Sequence, residues 1–424
     1  MTGVQTCALP ISVGESNLRV LLFTDTLGDV NGVARFIRNI AAEAAERGHS
    51  LAVVTSTRIA IPARENLKNL PPVVACAMPG YADLQLALPP ARAMIEFARE
   101  FQPHVIHVST PGPVGLVGRH VASRLGVPLA GVYHTDFPAY LHRLFGNDSL
   151  RLLCAHAMRW FYRDFAMVFA RSDAYLRTLD DLDVTSGRTR RLQPGIRTQR
   201  FSPALRDDRV WERVGSSPRK VHVLSVGRIS VEKNLPMLAR VWHAARHELE
   251  ARGVDAELIV VGDGPFRSAL TEELADHGAR FLGYRFGREL ATLYASSDLF
   301  VFPSTTDTLG QVVMEAQASG LPVVVSDSGG PKEMVAHGVT GLVIPAGREA
   351  DWVRSIVDLA CDAPRRASMG VAAHESMQAH SIERSFGHFW SVHGALRREA
   401  SSCSSIQNEP TPPKQASTGS GMVV

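Results

Sequence analysis

The stretch SVGRISVEKNLPML, residues 225–238, begins with the pattern of a buried strand and ends with that of a helix. Arg228 and Lys233 lie five positions apart on the turn between the two. Asn234 is a candidate helix cap, and Pro236 is compatible with the first turn of a helix. Two cations and a helix N-terminus at the end of a strand favour binding of an anion. We therefore predict a diphosphate site here, against the alternative of a solvated pair of surface charges.

Short apolar segments alternate with helical segments on both sides of that stretch. Apolar residues fill consecutive positions of these segments, as in parallel strands buried on both faces. The predicted strands are residues 19–24, 51–56, 73–78, 105–109, 129–134, 167–172, 222–228, 257–262, 279–284, 299–304, 322–327 and 341–346. The alternation predicts an α/β protein with two doubly wound, Rossmann-like domains that face each other across a cleft, with ligands at the carboxyl ends of the strands.

The same pattern divides the chain into segments. The first residues, MTGVQTCALPI, resemble a translated sequencing adapter, so we expect an artefact or a disordered leader at this end. Aromatic residues near residue 390 predict a terminal helix that packs on the body, and the Ser- and Pro-rich end predicts a disordered tail. The predicted boundaries are 1–16 for the leader, 17–195 for the N-terminal domain, 196–217 for the linker, 218–380 for the C-terminal domain, 381–400 for the helix and 401–424 for the tail.

Composition is typical of a soluble globular protein, with 45% hydrophobic and 21% charged residues among 424. The net charge of +3 gives no general attraction to nucleic acid. Residues 17–195 hold 20 Lys and Arg against 15 Asp and Glu, which leaves an anionic partner such as a phospholipid surface open. The five scattered cysteines include no CxxC pair, so we expect a reducing, cytoplasmic environment without a thiolate metal site.

A second motif is VFPSTTDTLGQVVMEAQASGLPVVVSD, residues 301–327. A helix that starts near Leu309 would carry Glu315 and leave Asp307 on the preceding loop. The two carboxylates would then lie about 12 Å apart, roughly the distance between the two sugars of a nucleotide-diphosphate sugar. The backbone amides of residues 308–310 are predicted to point at phosphate, and Glu315 is a candidate to accept both hydroxyls of a ribose.

Two further candidates lie where predicted strands end. Gly32 in DVNGVARF precedes a helix and would let the backbone approach a ligand closely. His134 in VYHTDFPAY stands at the carboxyl end of a strand. Each signal alone is weak, because Asn-Gly is a common turn and a single histidine is more often structural than catalytic.

Together these motifs resemble the retaining glycosyltransferases of family four, which have the two-domain GT-B fold. VGRISVEKN, VGDGP and D-x7-E followed by A-x-G-LPVV occur in that family's order, and the resemblance covers about residues 18 to 395. HTDFPAY and NGVARF resemble most closely the bacterial GDP-mannose-dependent α-mannosyltransferases that build glycolipids. The resemblance implies transfer of a hexose, with mannose from GDP-mannose favoured over another sugar or a UDP-hexose, to a hydroxyl of a lipid or glycan acceptor.

The resemblance also implies roles for individual residues. The N-terminal domain would bind the acceptor and the C-terminal domain the donor nucleotide. The implied catalytic residues are His134, Arg228, Lys233 and Asp307. The implied donor-binding residues are Gly32, Arg228, Lys233, Gly262, Tyr284, Leu309, Gly310 and Glu315. No metal ion and no cofactor other than the sugar-nucleotide donor is expected, because the two cations take the place of a metal at the diphosphate.

The sequence departs from the family pattern at three positions. Asp307 stands where Glu is usual, Leu309 where Phe is frequent, and Arg197 where the pattern has Asp. The segment DLD at 181–183 matches the D-x-D of metal-dependent transferases, but its polar surroundings at a helix end do not favour a metal site.

Other functions compete with this interpretation. A dinucleotide-dependent dehydrogenase is disfavoured because Arg267 occupies the third glycine position of a G-x-G-x-x-G motif. A nucleotide-sugar epimerase of the same architecture and a non-catalytic sugar-nucleotide-binding protein remain open. Residues 140–165 mix arginines with apolar and aromatic residues, so this segment is either an amphipathic helix on anionic lipid or a domain helix with a buried aromatic face. Peripheral contact with the inner face of the cytoplasmic membrane is left open.

Overall fold

The computed structural model of the protein describes residues 17–29, 31–78, 81–184 and 188–407. The predictions for residues 1–16 and for 408–424 therefore lie outside the described residues. The strands are β1 Arg19–Phe23, β2 Ser50–Thr55, β3 Leu67–Asn69, β4 Val74–Met78, β5 Tyr81–Leu88, β6 Val105–Val108, β7 Leu129–Tyr133, β8 Met167–Ala170, β9 Thr189–Arg191, β10 Val221–Val226, β11 Ala256–Val261, β12 Ala279–Gly283, β13 Leu299–Phe302, β14 Val323–Ser326 and β15 Gly341–Ile344.

Helices connect most of these strands. The α-helices are α1 Gly32–Glu46, α2 Ala91–Phe101, α3 Pro113–Leu125, α4 Phe137–Phe145, α5 Asp148–Tyr162, α6 Asp173–Asp181, α7 Arg209–Arg213, α8 Leu235–Ala251, α9 Arg267–Glu273, α10 Gly287–Ser296, α11 Gln311–Ala318, α12 Glu349–Cys361, α13 Ala363–Gln378 and α14 Ile382–Gln407. Short 3-10 helices occupy Pro203–Leu205, Val231–Lys233 and Pro331–Met334. Across the described ranges, no helix is both long enough and apolar enough to cross a membrane.

Two parallel sheets form the centres of two domains. Within the described residues, the N-terminal sheet has the order β3-β2-β1-β6-β7-β8-β9 and the C-terminal sheet the order β12-β11-β10-β13-β14-β15. Both orders reverse direction beside their first strand, as in doubly wound domains. The predicted α/β architecture of two Rossmann-like domains is confirmed.

The sequence pattern misassigned some strands of the N-terminal domain. Residues 73–78 were expected to join its sheet, but β4 pairs with β5 in a separate antiparallel hairpin. Short β3 and β9 extend the sheet instead and escape prediction, because three residues are too few to show a period. Apolar runs alone do not reveal which partner a strand pairs with.

The terminal helix α14 returns from the C-terminal domain and packs on the N-terminal one. Phe386, Phe389 and Trp390 are buried in the same apolar cluster as β1, β2 and α1. His393 of this helix lies 2.9 Å from His107 of β6, Nε2 to Nδ1, in the interior. The helix runs on to Gln407, so the prediction of disorder from residue 401 is wrong for 401–407. The serine-rich sequence from residue 401 does not end the helix, because it contains neither of the usual helix-ending residues: no Gly or Pro occurs between Gly394 and Pro410.

Contacts across the cleft hold the carboxyl ends of the two sheets opposite each other. The Glu333 carboxylate accepts hydrogen bonds from the backbone N–H groups of Asp173 and Ala174 at the start of α6, at 2.9 and 3.0 Å. The Tyr175 hydroxyl donates to the backbone oxygen of Thr306 at 3.3 Å. These bonds join helix α6 of the N-terminal domain to a 3-10 helix and a loop of the C-terminal domain, so both domains contribute residues to one cleft.

Candidate active site

The end of β10 is shaped by two glycines. Gly262, at the end of β11, has a φ of 134°, and a Cβ built there would lie 1.9 Å from the backbone oxygen of Gly227. Only glycine allows the two loops to approach so closely. The following turn presents Arg228 and Lys233 to the cleft. Both cations therefore lie at the mouth of the cleft, on the turn between β10 and α8.

Asn234 does not cap helix α8 as predicted. It adopts the left-handed conformation, with a φ of 58°, and its side chain makes no capping hydrogen bond. The side chain instead donates to the backbone oxygen of Pro303 at 3.5 Å. Asn234 instead follows the short 3-10 helix Val231–Lys233 as its C-terminal cap residue.

Lys233 pairs with Asp307. Its Nζ donates to Oδ2 of Asp307 at 2.8 Å, and both side chains are about one-fifth exposed to the cleft. The pair joins two of the residues that the resemblance implies to be catalytic. Any phosphate bound by Lys233 would compete with the Asp307 carboxylate for the ammonium group.

Glu315 is buried, with only 1% of its surface exposed. One carboxylate oxygen contacts the Arg35 guanidinium of α1, and the other accepts a hydrogen bond from the Tyr294 hydroxyl at 3.1 Å. The negative charge of Glu315 raises the pKa of Arg35 above its ordinary value. The sequence does not single out Arg35 or Tyr294, because nothing local to either shows that they meet Glu315.

His134 follows β7 and is buried beside the cleft. Its Nε2 lies 3.0 Å from the Ser109 hydroxyl, and its ring meets the Phe36 ring edge-on with 6.0 Å between centroids. Burial, aided by the charge of Arg171, holds the pKa of His134 well below its ordinary value. The imidazole is therefore neutral at physiological pH, able to donate or accept one hydrogen bond but carrying no charge.

Two adjoining cavities lie between the domains. The first, of about 180 Å³, and the second, of about 230 Å³, share Lys233, Asp307 and Gln311 in their walls. A larger cavity of about 960 Å³ lies elsewhere, between α3 and α5, and holds none of the predicted site residues. The predicted residues that line the interdomain cavities are Gly32, His134, Arg228, Lys233, Gly262, Tyr284, Asp307, Leu309 and Gly310.

Three predicted residues need separate description. Glu315 lines neither cavity itself; it contacts Arg35, which does. Leu309 touches the second cavity but is mostly packed against Met314 and other apolar side chains of an inner cluster. A Cβ added at Gly32 would find no atom nearer than the Gln311 side chain at 4.0 Å, so packing within the protein does not require glycine there. That space lies in the cleft, as expected if a ligand approaches the Gly32 backbone.

Asp29 is a further cleft residue that the sequence did not reveal. It lies on the loop before α1 and accepts a hydrogen bond from the Asn31 amide at 3.2 Å. Burial raises the pKa of Asp29 to about 6, although the positive charges of Arg228 and Arg38 oppose the shift. A carboxylate thus lies close enough to Arg228 to be influenced by its charge, on the opposite domain.

The acidic DLD segment, residues 181–183, lies at the end of helix α6. Asp181 ends helix α6, and Asp183 follows it in the left-handed conformation, with a φ of 52°. Nowhere in the described part of the chain do three or more His, Cys, Asp or Glu side chains gather as potential ligands of one ion.

Known proteins are similar to this chain in sequence and in fold. Residues 220–362 match the family described as Glycosyl transferases group 1, and residues 30–200 match Glycosyltransferase Family 4. The chain is 32% identical over 399 residues to a GDP-mannose-dependent alpha-mannosyltransferase of Mycobacterium tuberculosis, covering 90% of this chain and 99% of that protein. A protein of the same name from Mycolicibacterium smegmatis is 30% identical over 387 residues, which cover 89% and 98% of the two chains.

Among solved structures, sucrose-phosphate synthase from Thermosynechococcus elongatus matches with a TM-score of 0.73 over 91% of this chain and 100% of that one. At 19% identity this likeness concerns the fold alone. The fold and the cleft define a glycosyltransferase of the GT-B class. The chain belongs to glycosyltransferase family 4, and the protein is a hexosyltransferase.

We predict that the Asp29 carboxyl titrates near pH 6, protonated below and ionised above that pH. Replacing Arg228 with Met should raise the midpoint, because it removes the positive charge that favours the ionised form. Carbon-13 NMR of labelled aspartate measures both midpoints. A wild-type midpoint near the ordinary value of 3.8 would contradict the burial, and an unchanged midpoint in the variant would contradict the closeness to Arg228.

Proposed function

We propose that the protein is a retaining mannosyltransferase that moves mannose from GDP-mannose to a hydroxyl of a lipid or glycan acceptor. The observation that carries the proposal is the cavity wall formed by Arg228 and Lys233 after β10 and by Asp307 after β13, together with Arg35, which contacts the buried Glu315. The choice of donor is supported by the names of the two mannosyltransferases, each of which this chain matches over nearly its whole length.

The donor would lie along the two cavities. Arg228 and Lys233 would bind the diphosphate, with the backbone amides of Leu309 and Gly310 on its other side. Glu315 would accept the ribose hydroxyls after exchanging its contact with Arg35. Gly262 and Tyr284 line the first cavity, where the base would lie, and Tyr284 stacks with Phe286 at 5.9 Å between centroids.

The second cavity would hold the reacting hexose. His134 and Asp307 line it, and a neutral His134 can hydrogen-bond a sugar hydroxyl. In the reaction the bond from C1 to the diphosphate oxygen breaks and a bond from C1 to the acceptor oxygen forms on the same face. The acceptor hydroxyl loses its proton to the departing diphosphate. Arg228 and Lys233 stabilise the negative charge that grows on that group, an electrostatic contribution that is often the largest in catalysis.

Lys233→Ala tests the assignment of the leaving-group site. Mannosyl transfer from GDP-mannose should fall by about 100- to 1,000-fold, the usual effect of removing one preorganised charge donor. Lys68→Ala, which removes an exposed lysine of β3, is the matched control and should leave turnover unchanged. The melting temperatures of both variants show whether each one remains folded. Near-normal turnover by a folded Lys233→Ala protein would refute the assignment.

Arg35 is expected to compete with the donor. Its guanidinium occupies a carboxylate oxygen of Glu315, and its side chain lines the first cavity. A ribose that binds Glu315 through both hydroxyls needs both carboxylate oxygens. The oxygen that accepts from the Tyr294 hydroxyl can accept a second hydrogen bond, whereas Arg35, which lines the first cavity, holds the other oxygen. Donor binding therefore requires Arg35 to move.

We predict that Arg35→Met binds GDP more tightly than the wild type, by roughly threefold to tenfold, because methionine fills a similar volume without competing for the carboxylate. Isothermal titration calorimetry measures the change in Kd. Arg47→Met, at the other end of α1, is the control. Weaker binding by Arg35→Met would show that Arg35 supports the site instead of competing with the nucleotide.

The outer face of α5 is apolar and basic, which supports a lipid-bound acceptor. Leu153 and Trp160 are 68% and 50% exposed, while Phe161 and Tyr162 of the same helix are buried in the domain core. Arg151 and Arg159 flank the exposed side chains. The segment thus combines both expected roles, since one face fills the core and the other is suited to an anionic bilayer. We propose that this face contacts the membrane.

Flotation with phosphatidylglycerol vesicles tests this surface. The wild type should float with the vesicles, and a Leu153→Ser, Trp160→Ser double variant should remain mostly in the soluble fraction because it loses the apolar contacts. Val371→Ser removes a similarly exposed apolar side chain of α13 in the other domain and should float normally. Wild-type protein that stays soluble would count against the membrane face.

A further inference from the structure

Arg171 is a buried cation at the wall of the second cavity. It follows β8, the neighbour of the strand that ends at His134, and only 4% of its surface is exposed. Its guanidinium carbon lies 4.3 Å from the centre of the Phe36 ring. Phe36 also contacts His134, so Arg171 and His134 pack around the same ring.

Arg171 has no counter-charge among the described residues. No described residue forms a salt bridge or hydrogen bond with it, and its Nη1 is buried without a partner. Burial lowers its pKa to about 10, so the group is still charged at neutral pH. An unpaired buried charge is costly, and buried arginines with a purely structural role are usually paired.

Arg171 belongs to the N-terminal domain, whereas the two cations of the proposed diphosphate site, Arg228 and Lys233, belong to the C-terminal domain. Arg171 lines the second cavity with His134, Lys233 and Asp307. Arg228 lines the first cavity instead. Arg171 therefore lies beside His134 on the N-terminal wall of the cavity that would hold the reacting hexose.

We propose that Arg171 binds an anionic group, a carboxylate, sulfonate or phosphate, carried by a sugar in the second cavity. The inference rests on the proposed function and narrows its substrate class. A guanidinium binds such groups through two parallel hydrogen bonds, and the buried Nη1 would gain the acceptor that it lacks. The anionic group belongs either to the transferred hexose or to the acceptor, and Arg171 selects the substrate that carries it.

Two arms of one experiment distinguish these sources. The donor arm compares binding of UDP-glucose with UDP-glucuronate, and of GDP-mannose with GDP-mannuronate, by calorimetry. The acceptor arm compares kcat/KM for mannosyl transfer from GDP-mannose to glucosyl-diacylglycerol and to glucuronosyl-diacylglycerol. The wild type should prefer the anionic member in one arm by about 10- to 100-fold, the scale of hydrogen bonds to a charged group.

Substitutions then assign the preference to this residue. Arg171→Met keeps the packing on Phe36 and should abolish the preference, whereas Arg171→Lys should retain part of it through a single hydrogen bond. Arg177→Met removes an exposed arginine of α6 and should retain all of it. If Arg171→Met does not fold, the Arg171→Lys variant decides the question. A severalfold smaller preference for the anionic substrate supports the proposal, and an unchanged preference overturns it.

The outcomes also separate this inference from the proposed function. A wild type that shows no anionic preference in either arm, or a folded Arg171→Met that keeps the preference, overturns the role of Arg171 while mannosyl transfer stands. A wild type that binds none of the four donors and transfers no sugar removes the proposed function, and this inference with it.

Discussion

Charge compensation within a narrow cleft is the constraint on which the rest of the structure depends. Two parallel sheets direct the ends of their strands at each other, and both domains contribute cations to the cavities between them. Arg35, Arg228 and Lys233 each lie near a carboxylate, whereas no carboxylate of the described residues pairs with Arg171. Under the proposed function, a negatively charged donor would exchange with these carboxylates, and the cleft would select ligands by charge as well as by shape.

Much of this organisation could be predicted from the sequence, because it is local. Apolar runs identify parallel strands, and strand ends in such domains converge on one edge, so nine of the ten predicted site residues line the interdomain cavities. The contacts that could not be predicted join distant segments. Arg35 and Glu315 are 280 positions apart, and the neighbours of Arg171 lie on other strands and helices. Neither hydrophobic periodicity nor a short motif records which side chains meet across a domain boundary.

The departures from the family pattern have physical consequences in the structure. Asp307 is shorter than glutamate by one methylene, and it pairs with Lys233 at 2.8 Å. Arg197 replaces an acidic position and lies 3.4 Å from the buried carboxylate of Glu43, joining the linker to α1. That helix also carries Arg35, so the linker contacts the same element that reaches Glu315. These substitutions alter pairings within the cleft and beside it, while the sheets that define the fold keep their order.

The central claim is that side chains, and not a metal ion, neutralise the diphosphate leaving group. The most direct measurement is the turnover of the wild-type protein with GDP-mannose in the presence of EDTA, compared with turnover in Mg²⁺ and in Mn²⁺. If Arg228 and Lys233 supply the positive charge, the three rates should agree within about twofold, because no step then needs an ion. Loss of turnover in EDTA that either ion restores would contradict the account.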